Sequence, residues 1–192
     1  MADYLKLSDE ELIARCLEKD AEAWEVLVRR YQRLIASVTF KFGLSGTDAP
    51  DVFQAVCMAL FQQLADLRDQ AKLSSWLITV SVRECWKIKE RKRASETREV
   101  SEWRETRNGH DVEPPAVEAD MLALERQHMV RRAVDLLPLQ CRRLIEHLFY
   151  HESPATYAEI SRSFGIPIAS IGPTRGRCLA KLRTNLKNLG FR

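Results

Sequence analysis

From Ala94 to about Ala119 the chain loses the apolar rhythm that organises the residues on either side of it, and this break does most to limit what it can fold into. The stretch turns acidic and contains Asn108-Gly109 and Pro114-Pro115, the composition of a flexible connector. The flanking segments are each the size of a small domain, so the 192 residues read as one domain over 8–93, a linker over 94–119 and a second domain over 120–189. On both sides apolar residues return every three or four positions, the period of an amphipathic helix. The expected class is therefore all-α: two small helical domains and a connector.

In the first segment, Ser8-Asp9-Glu10-Glu11 has the form of a capping box, ahead of Leu12, Ile13 and Leu17. Asp20 caps a longer helix whose stripe is Trp24, Leu27, Val28, Tyr31, Leu34, Ile35, Val38 and Phe42, with Gly43 ending it. Thr47 or Asp48 starts a third helix, where Pro50 is tolerated in the first turn and Val52, Phe53, Val56, Leu60 and Leu64 line one side. After a loop from Arg68 to Ser74, Ser74 or Ser75 opens a fourth helix through Trp76, Leu77, Val80, Cys85 and Ile88. Ile78-Thr79-Val80-Ser81-Val82 also has strand propensity, but no second strand is available to pair with it. Trp76 sits on the apolar stripe and reads as core.

In the second segment, helical rhythm runs from Asp120 through Met121, Leu122, Leu124, Met129, Val130 and Val134, stops before Pro138, and restarts through Leu144, Ile145, Leu148 and Phe149. Thr156-Tyr157-Ala158-Glu159 is a second capping box, and Gly165 can supply the positive φ of a tight helix end. Ser161, Gly165 four residues later and Ile171 six after that fit a helix-turn-helix: close helix approach, a left-handed turn and an apolar anchor. Downstream, Leu179, Leu182 and Leu186 can pack inward while the basic residues face a polyanion. Gly172-Pro173 is unusual there, since a proline beyond the first turn removes a helical hydrogen bond and is expected to kink or delay the helix.

Charge is segregated. Residues 1–93 carry fifteen basic and fourteen acidic side chains, 94–127 four and nine, and 128–192 eleven and four. Arg83 to Arg93 holds six Lys/Arg, and Arg175 to Arg192 six with no acid. One such cluster is equally well a solvated helix face; two, each closing a helical block, favour nucleic acid. The five cysteines are odd in number, scattered and without a CxxC pair, which predicts reduced thiols rather than a disulfide framework. His147 and His151 share an i, i+4 spacing with Cys141 upstream, but no fourth ligand follows at a usual spacing, so no metal and no cofactor is expected. There is no Gly-rich phosphate loop and no nucleophile–base arrangement of distinctive spacing, which argues against an enzyme. No membrane span is expected, and the acids of Met1 to Arg15 are unlike a secretory signal, so the expected location is cytoplasmic.

Taken together, Asp20-Ala21-Glu22-Ala23-Trp24, Asp48-Ala49-Pro50-Asp51-Val52-Phe53-Gln54, Ser75-Trp76-Leu77, and Leu136-Leu137-Pro138 through Arg183 resemble a bacterial extracytoplasmic-function sigma factor. Such factors are promoter-recognition subunits of RNA polymerase that keep only regions two and four. The resemblance implies a non-enzymatic transcription initiation factor whose partners are core RNA polymerase, promoter DNA and an anti-sigma factor. It implies a polymerase-docking face at Asp48, Asp51 and Gln54, an acidic and amide rim suited to a basic partner helix. It places Lys72, Arg83, Trp86, Lys87 and Lys89 on the opened minus-ten element, as a basic track with faces for unstacked bases. It places Ser170, Thr174, Arg175 and Arg177 on the minus-thirty-five element through the major groove. Family members often have an acid where Pro50 stands, and Arg and Asn where Thr79 and Arg83 stand. A stand-alone helix-turn-helix regulator, binding duplex DNA without polymerase, is the alternative reading.

Overall fold

The computed structural model describes residues 4–67, 72–100, 115–150 and 155–191, and every regular element in them is helical. After a 3-10 turn at Tyr4–Lys6 come α1 Asp9–Leu17, α2 Ala21–Lys41, α3 Asp48–Gln63, α4 Leu73–Val100, α5 Pro115–Asp135, α6 Leu139–Phe149, α7 Tyr157–Phe164 and α8 Ile168–Asn188. The described residues form two compact units, divided within α5 between Glu125 and Arg126.

In the first unit α2 packs against α1, α3 and α4, and α3 packs against α4. The α2 stripe is buried largely as its spacing predicts: Leu27, Tyr31, Leu34, Ile35 and Val38 are core, while Trp24, Val28 and Phe42 lie half-buried at its edges. Burying side chains of this size stabilises by about 1.5–3 kcal/mol each. Both helix starts are chemically fixed. Ser8 Oγ accepts from the Glu11 amide while Glu11 accepts from the Ser8 amide. Asp20 accepts from the amides of Glu22 and Ala23 and from the Tyr4 hydroxyl. The Tyr4 hydrogen bond, then the backbone amides, hold the Asp20 carboxyl below its ordinary range. Asp9 ties α1 to α2, accepting from the Arg30 guanidinium and the Tyr31 hydroxyl at 2.7 Å each.

The strand-prone run Ile78 to Val82 is helical because one face of it belongs in this core. Leu77 and Ile78 are essentially inaccessible, and the buried Ser81 hydroxyl donates to the Leu77 carbonyl at 2.7 Å, so no polar group is orphaned. Helix also enters the expected connector from both sides, α4 reaching Val100 and α5 beginning at Pro115; the Asn108-Gly109 signal lies outside the described residues. Met121 and Leu124, grouped by rhythm with the second segment, pack in the first unit's core. Periodicity shows that a stripe is buried, not which partner buries it.

The second unit has a short core: Val134, Leu137, Cys141, Leu144, Ile145, Ile160, Ile171 and Cys178. Its helix-turn-helix follows the sequence pattern. Thr156 and Glu159 form the reciprocal cap, Gly165 turns at φ 63°, Ser161 Oγ donates to the Ile166 carbonyl at 2.6 Å, and Ile171 is fully buried. A Cβ at Gly165 meets nothing within 4 Å, so Gly165→Ala isolates the backbone cost of the left-handed turn. That cost is about 1 kcal/mol. Thermal unfolding should show the second unit's midpoint falling by about 4–8 °C, with the first unit unmoved.

Three expectations are corrected here. Cys141 and Cys178 are not thiols: they are joined by a disulfide across 37 residues, Cα atoms 5.3 Å apart, because α6 packs on α8. The odd count hid the pair, since Cys16, Cys57 and Cys85 remain free. The face of α8 that turns inward carries Ile171, Cys178 and the half-buried Leu182, whereas Leu179 is 39% exposed. Finally, α8 is neither delayed nor broken by Gly172-Pro173. Pro173 and Ala169 are both exposed, so the carbonyl that loses its donor can turn to water.

Candidate nucleic-acid interface

Helix α4 builds the first candidate surface. At 100° per residue, Lys72 just ahead of the helix and Trp76, Thr79, Arg83, Trp86 and Lys87 along it share one side. The opposite side holds Leu73, Leu77, Ile78, Ser81 and Cys85, all buried in the first unit. Lys72, Thr79, Arg83 and Lys87 are exposed, and Trp76 and Trp86 half-buried. Four of the five expected minus-ten residues thus fall on one solvent-facing side. Lys89 does not: its ammonium lies 5.5 Å from the Phe42 ring centroid, off that side. Trp86 meets Phe42 edge-on, centroids 5.6 Å apart, so part of its ring is spent on packing. Lys87 pairs with Glu84 at 2.7 Å, an exposed pair easily exchanged for another anion.

At the start of this face lies a cleft of about 370 Å³, lined by Gln63, Asp66, Leu67, Lys72, Ser75, Trp76 and Thr79. Trp76 both packs against the core and lines the cleft. Its assignment to the core alone is therefore corrected. The spacing Lys72, Trp76, Thr79, Arg83 could have shown that the indole sits on the basic stripe as well as at the edge of the apolar one. The cleft thus offers an aromatic surface, a cation and amide and hydroxyl groups together, the chemistry that holds an unstacked base. Ser75 donates to Glu125, which fixes the first turn of α4 to α5.

The three residues expected to dock polymerase are not equivalent. Asp51 and Gln54 stand exposed on α3, one turn apart. The Asp48 side chain is only 14% exposed and accepts from Lys92 Nζ at 2.5 Å, tying α3 to the basic end of α4. Met58 and Phe61 continue the Asp51–Gln54 side as exposed apolar residues, with Phe61 edge-on to Trp24 at 5.6 Å. They were missed because a hydrophobic residue on a helix is read as core by default.

In the second unit α8 carries the expected minus-thirty-five residues. Arg175 and Arg177 are exposed, Ser170 and Thr174 half-buried, and Arg177 donates to Thr174 Oγ1 at 3.2 Å. Lys181, Arg183 and Lys187 extend the positive charge along the same helix. Ser170, at the helix start, donates its amide to the Pro167 carbonyl within the turn. His147 is edge-on to Phe164, and His151 lies outside the described residues. Among the described residues no helix is long and apolar enough to cross a membrane.

Comparison with known proteins places most of the first unit. Residues 27–95 match the Sigma-70 region 2 family. The chain is similar to the ECF RNA polymerase sigma-E factor of Escherichia coli (strain K12), 32% identical over 77 residues, and to that of Haemophilus influenzae, 29% identical over 77 residues. Each match covers 40% of this chain and 40% of the relative. A solved structure of CnrH in complex with the cytosolic domain of CnrY aligns over 94% of this chain and 97% of that one, with 19% identity and a TM-score of 0.37.

Proposed function

We propose that the chain, whose residues 27–95 match Sigma-70 region 2 and which is similar to extracytoplasmic-function sigma-E factors over 77 residues, is an alternative sigma factor that binds core RNA polymerase, directs it to promoters and so initiates DNA-templated transcription. The observation that carries this reading is the outward side of α4, where the Trp76 cleft opens onto Thr79, Arg83 and Lys87 inside the matched segment. In this proposal the cleft receives an unstacked base of the minus-ten non-template strand, and Lys72, Arg83 and Lys87 track its phosphates. Trp86 offers the remaining exposed part of its ring, and Lys89 contributes charge from the margin. Helix α8 lies in the major groove of the minus-thirty-five element, with Arg175 and Arg177 on phosphates or guanine edges and the half-buried Ser170 and Thr174 contributing from the margin of the contact.

Polymerase docks on α3 through Asp51 and Gln54, and Asp48 contributes through the pair it makes with Lys92. An anti-sigma protein that covers this face is the regulator that the same reading entails. The protein acts in the cytoplasm, as an initiation factor rather than an enzyme, and uses no cofactor. The test is a pull-down of core RNA polymerase comparing the wild-type chain with an Asp51→Arg, Gln54→Ala double variant. Both residues are exposed, so the variant should fold normally while its retention by polymerase falls at least about tenfold, a loss of about 1.4 kcal/mol or more. If neither protein binds polymerase while both bind duplex DNA, the chain is instead a stand-alone helix-turn-helix regulator.

A further inference from the structure

The second unit holds its DNA-facing helix in an unusual way. Its buried core is short, and two members of that core are the bonded Cys141 and Cys178. Cys141 lies in the first turn of α6 and Cys178 midway along α8, so the bond joins the two helices directly. We propose that Cys141 and Cys178 are a reversible thiol–disulfide couple, oxidised by a low-molecular-weight disulfide such as oxidised glutathione, and that the bond fixes α8 in the conformation that engages duplex DNA. The chemistry of the couple stands by itself; its consequence rests on the reading of α8 as the duplex-binding helix.

The reaction balances as an exchange. The thiolate of Cys141 attacks one sulfur of the glutathione disulfide and releases one glutathione thiolate. The Cys178 thiolate then attacks the Cys141 sulfur of the mixed disulfide, forming the intramolecular bond and releasing the second glutathione. Two cysteine thiols are oxidised and one glutathione disulfide is reduced to two thiols. Cys141 is the entry point for three reasons: it is 8% exposed against 1% for Cys178, the positive end of α6 favours its thiolate, and Arg142 and Arg143 follow it.

The other cysteines, Cys16, Cys57 and Cys85, are not bonded to one another. Burial raises the thiols of Cys16 and Cys85 to about 11 and pushes that of Cys57 up as well. What favours the second-unit pair is proximity: Cys141 and Cys178 lie with Cα atoms 5.3 Å apart, so a mixed disulfide formed on one is resolved by the other. A 37-residue loop closed in the unfolded chain shifts the folding equilibrium roughly several hundredfold. In so small a unit that shift separates a firmly folded helix-turn-helix from a marginal one.

The full-length protein is equilibrated with reduced or oxidised glutathione and its thiols are counted after denaturation. It is then probed by limited proteolysis and by anisotropy with a labelled duplex of random sequence. Oxidation should remove two thiols, slow cleavage within residues 126–192 by on the order of 100-fold, and tighten duplex binding about tenfold at 37 °C. Cys178→Ala should behave like the reduced protein in either buffer, and Cys57→Ala like the wild type. Wild-type protein in reductant gives the same comparison without any substitution. Equal thiol counts in the two buffers, or equal proteolysis despite a difference of two thiols, overturns the proposal. A response in thiols and proteolysis with no duplex binding by either form overturns instead the duplex-binding reading of α8.

Discussion

Replacing Ile171 with alanine should collapse the second unit while sparing the first. Ile171 is fully buried in a core of few residues, on the inward face of α8, the same helix that carries Arg175 and Arg177. Truncating a buried isoleucine costs about 2–5 kcal/mol, from lost transfer energy and the cavity left behind. A unit of this size has roughly 3–5 kcal/mol of stability to lose. Calorimetry should show its transition lowered by roughly 10–20 °C or abolished, with duplex affinity falling in parallel. Leu179→Ala is the control: a leucine already 39% exposed should cost under about 0.5 kcal/mol. Equal effects of the two substitutions would mean that α8 is rotated, with Leu179 turned inward as far as Ile171.

The second large effect is at Trp76. With the indole on the cleft wall, Trp76→Ala removes the surface on which a base would stack, worth about 1–3 kcal/mol, or roughly 5- to 150-fold in affinity. The measurement is binding of a labelled single-stranded oligonucleotide by the protein assembled with core polymerase. Trp76→Phe should recover most of that affinity, which a collapse of the fold would not allow. Lys72→Ala in the same assay should weaken binding less and lower the salt dependence by about 0.7 in the log–log slope, as expected when one phosphate is deprived of its cation. Full affinity in Trp76→Ala would remove the cleft from the binding surface.

What could be read in advance depended on how local the cause was. The caps at Ser8, Asp20 and Thr156 and the turn at Gly165 follow from three or four neighbouring residues, and each is found where its signature stands. The rotation of α8 was harder, because Cys178 and Leu179 are adjacent and 100° apart, and a leucine outranks a cysteine in any apolar count. The disulfide was invisible for a similar reason: α6 and α8 must first pack before residues 37 apart become neighbours. Met121 and Leu124 show the same limit, since a rhythm that continues smoothly through α5 carries no mark of the boundary at Glu125. The candidate site was legible where charge marked it, at Arg83, Lys87, Arg175 and Arg177, and illegible where apolar residues did double duty, at Trp76, Met58 and Phe61. Asp48 and Lys89 could be named as charges, but only the fold reveals that each is engaged within the protein.

The straight run of α4 also sets a length. Lys72 and Lys87 are fifteen residues apart along one helix side, about 22 Å at 1.5 Å per residue. A stacked strand rising about 3.4 Å per nucleotide crosses that distance in about six or seven steps. If α4 holds a nucleic-acid strand as proposed, it is thus a ruler with one end at the cleft, and the tract it would read is bounded by its geometry before any base contact is considered. Inserting a single residue would turn everything beyond it by 100° as well as lengthen it, so the measure and the register of its face can only change together.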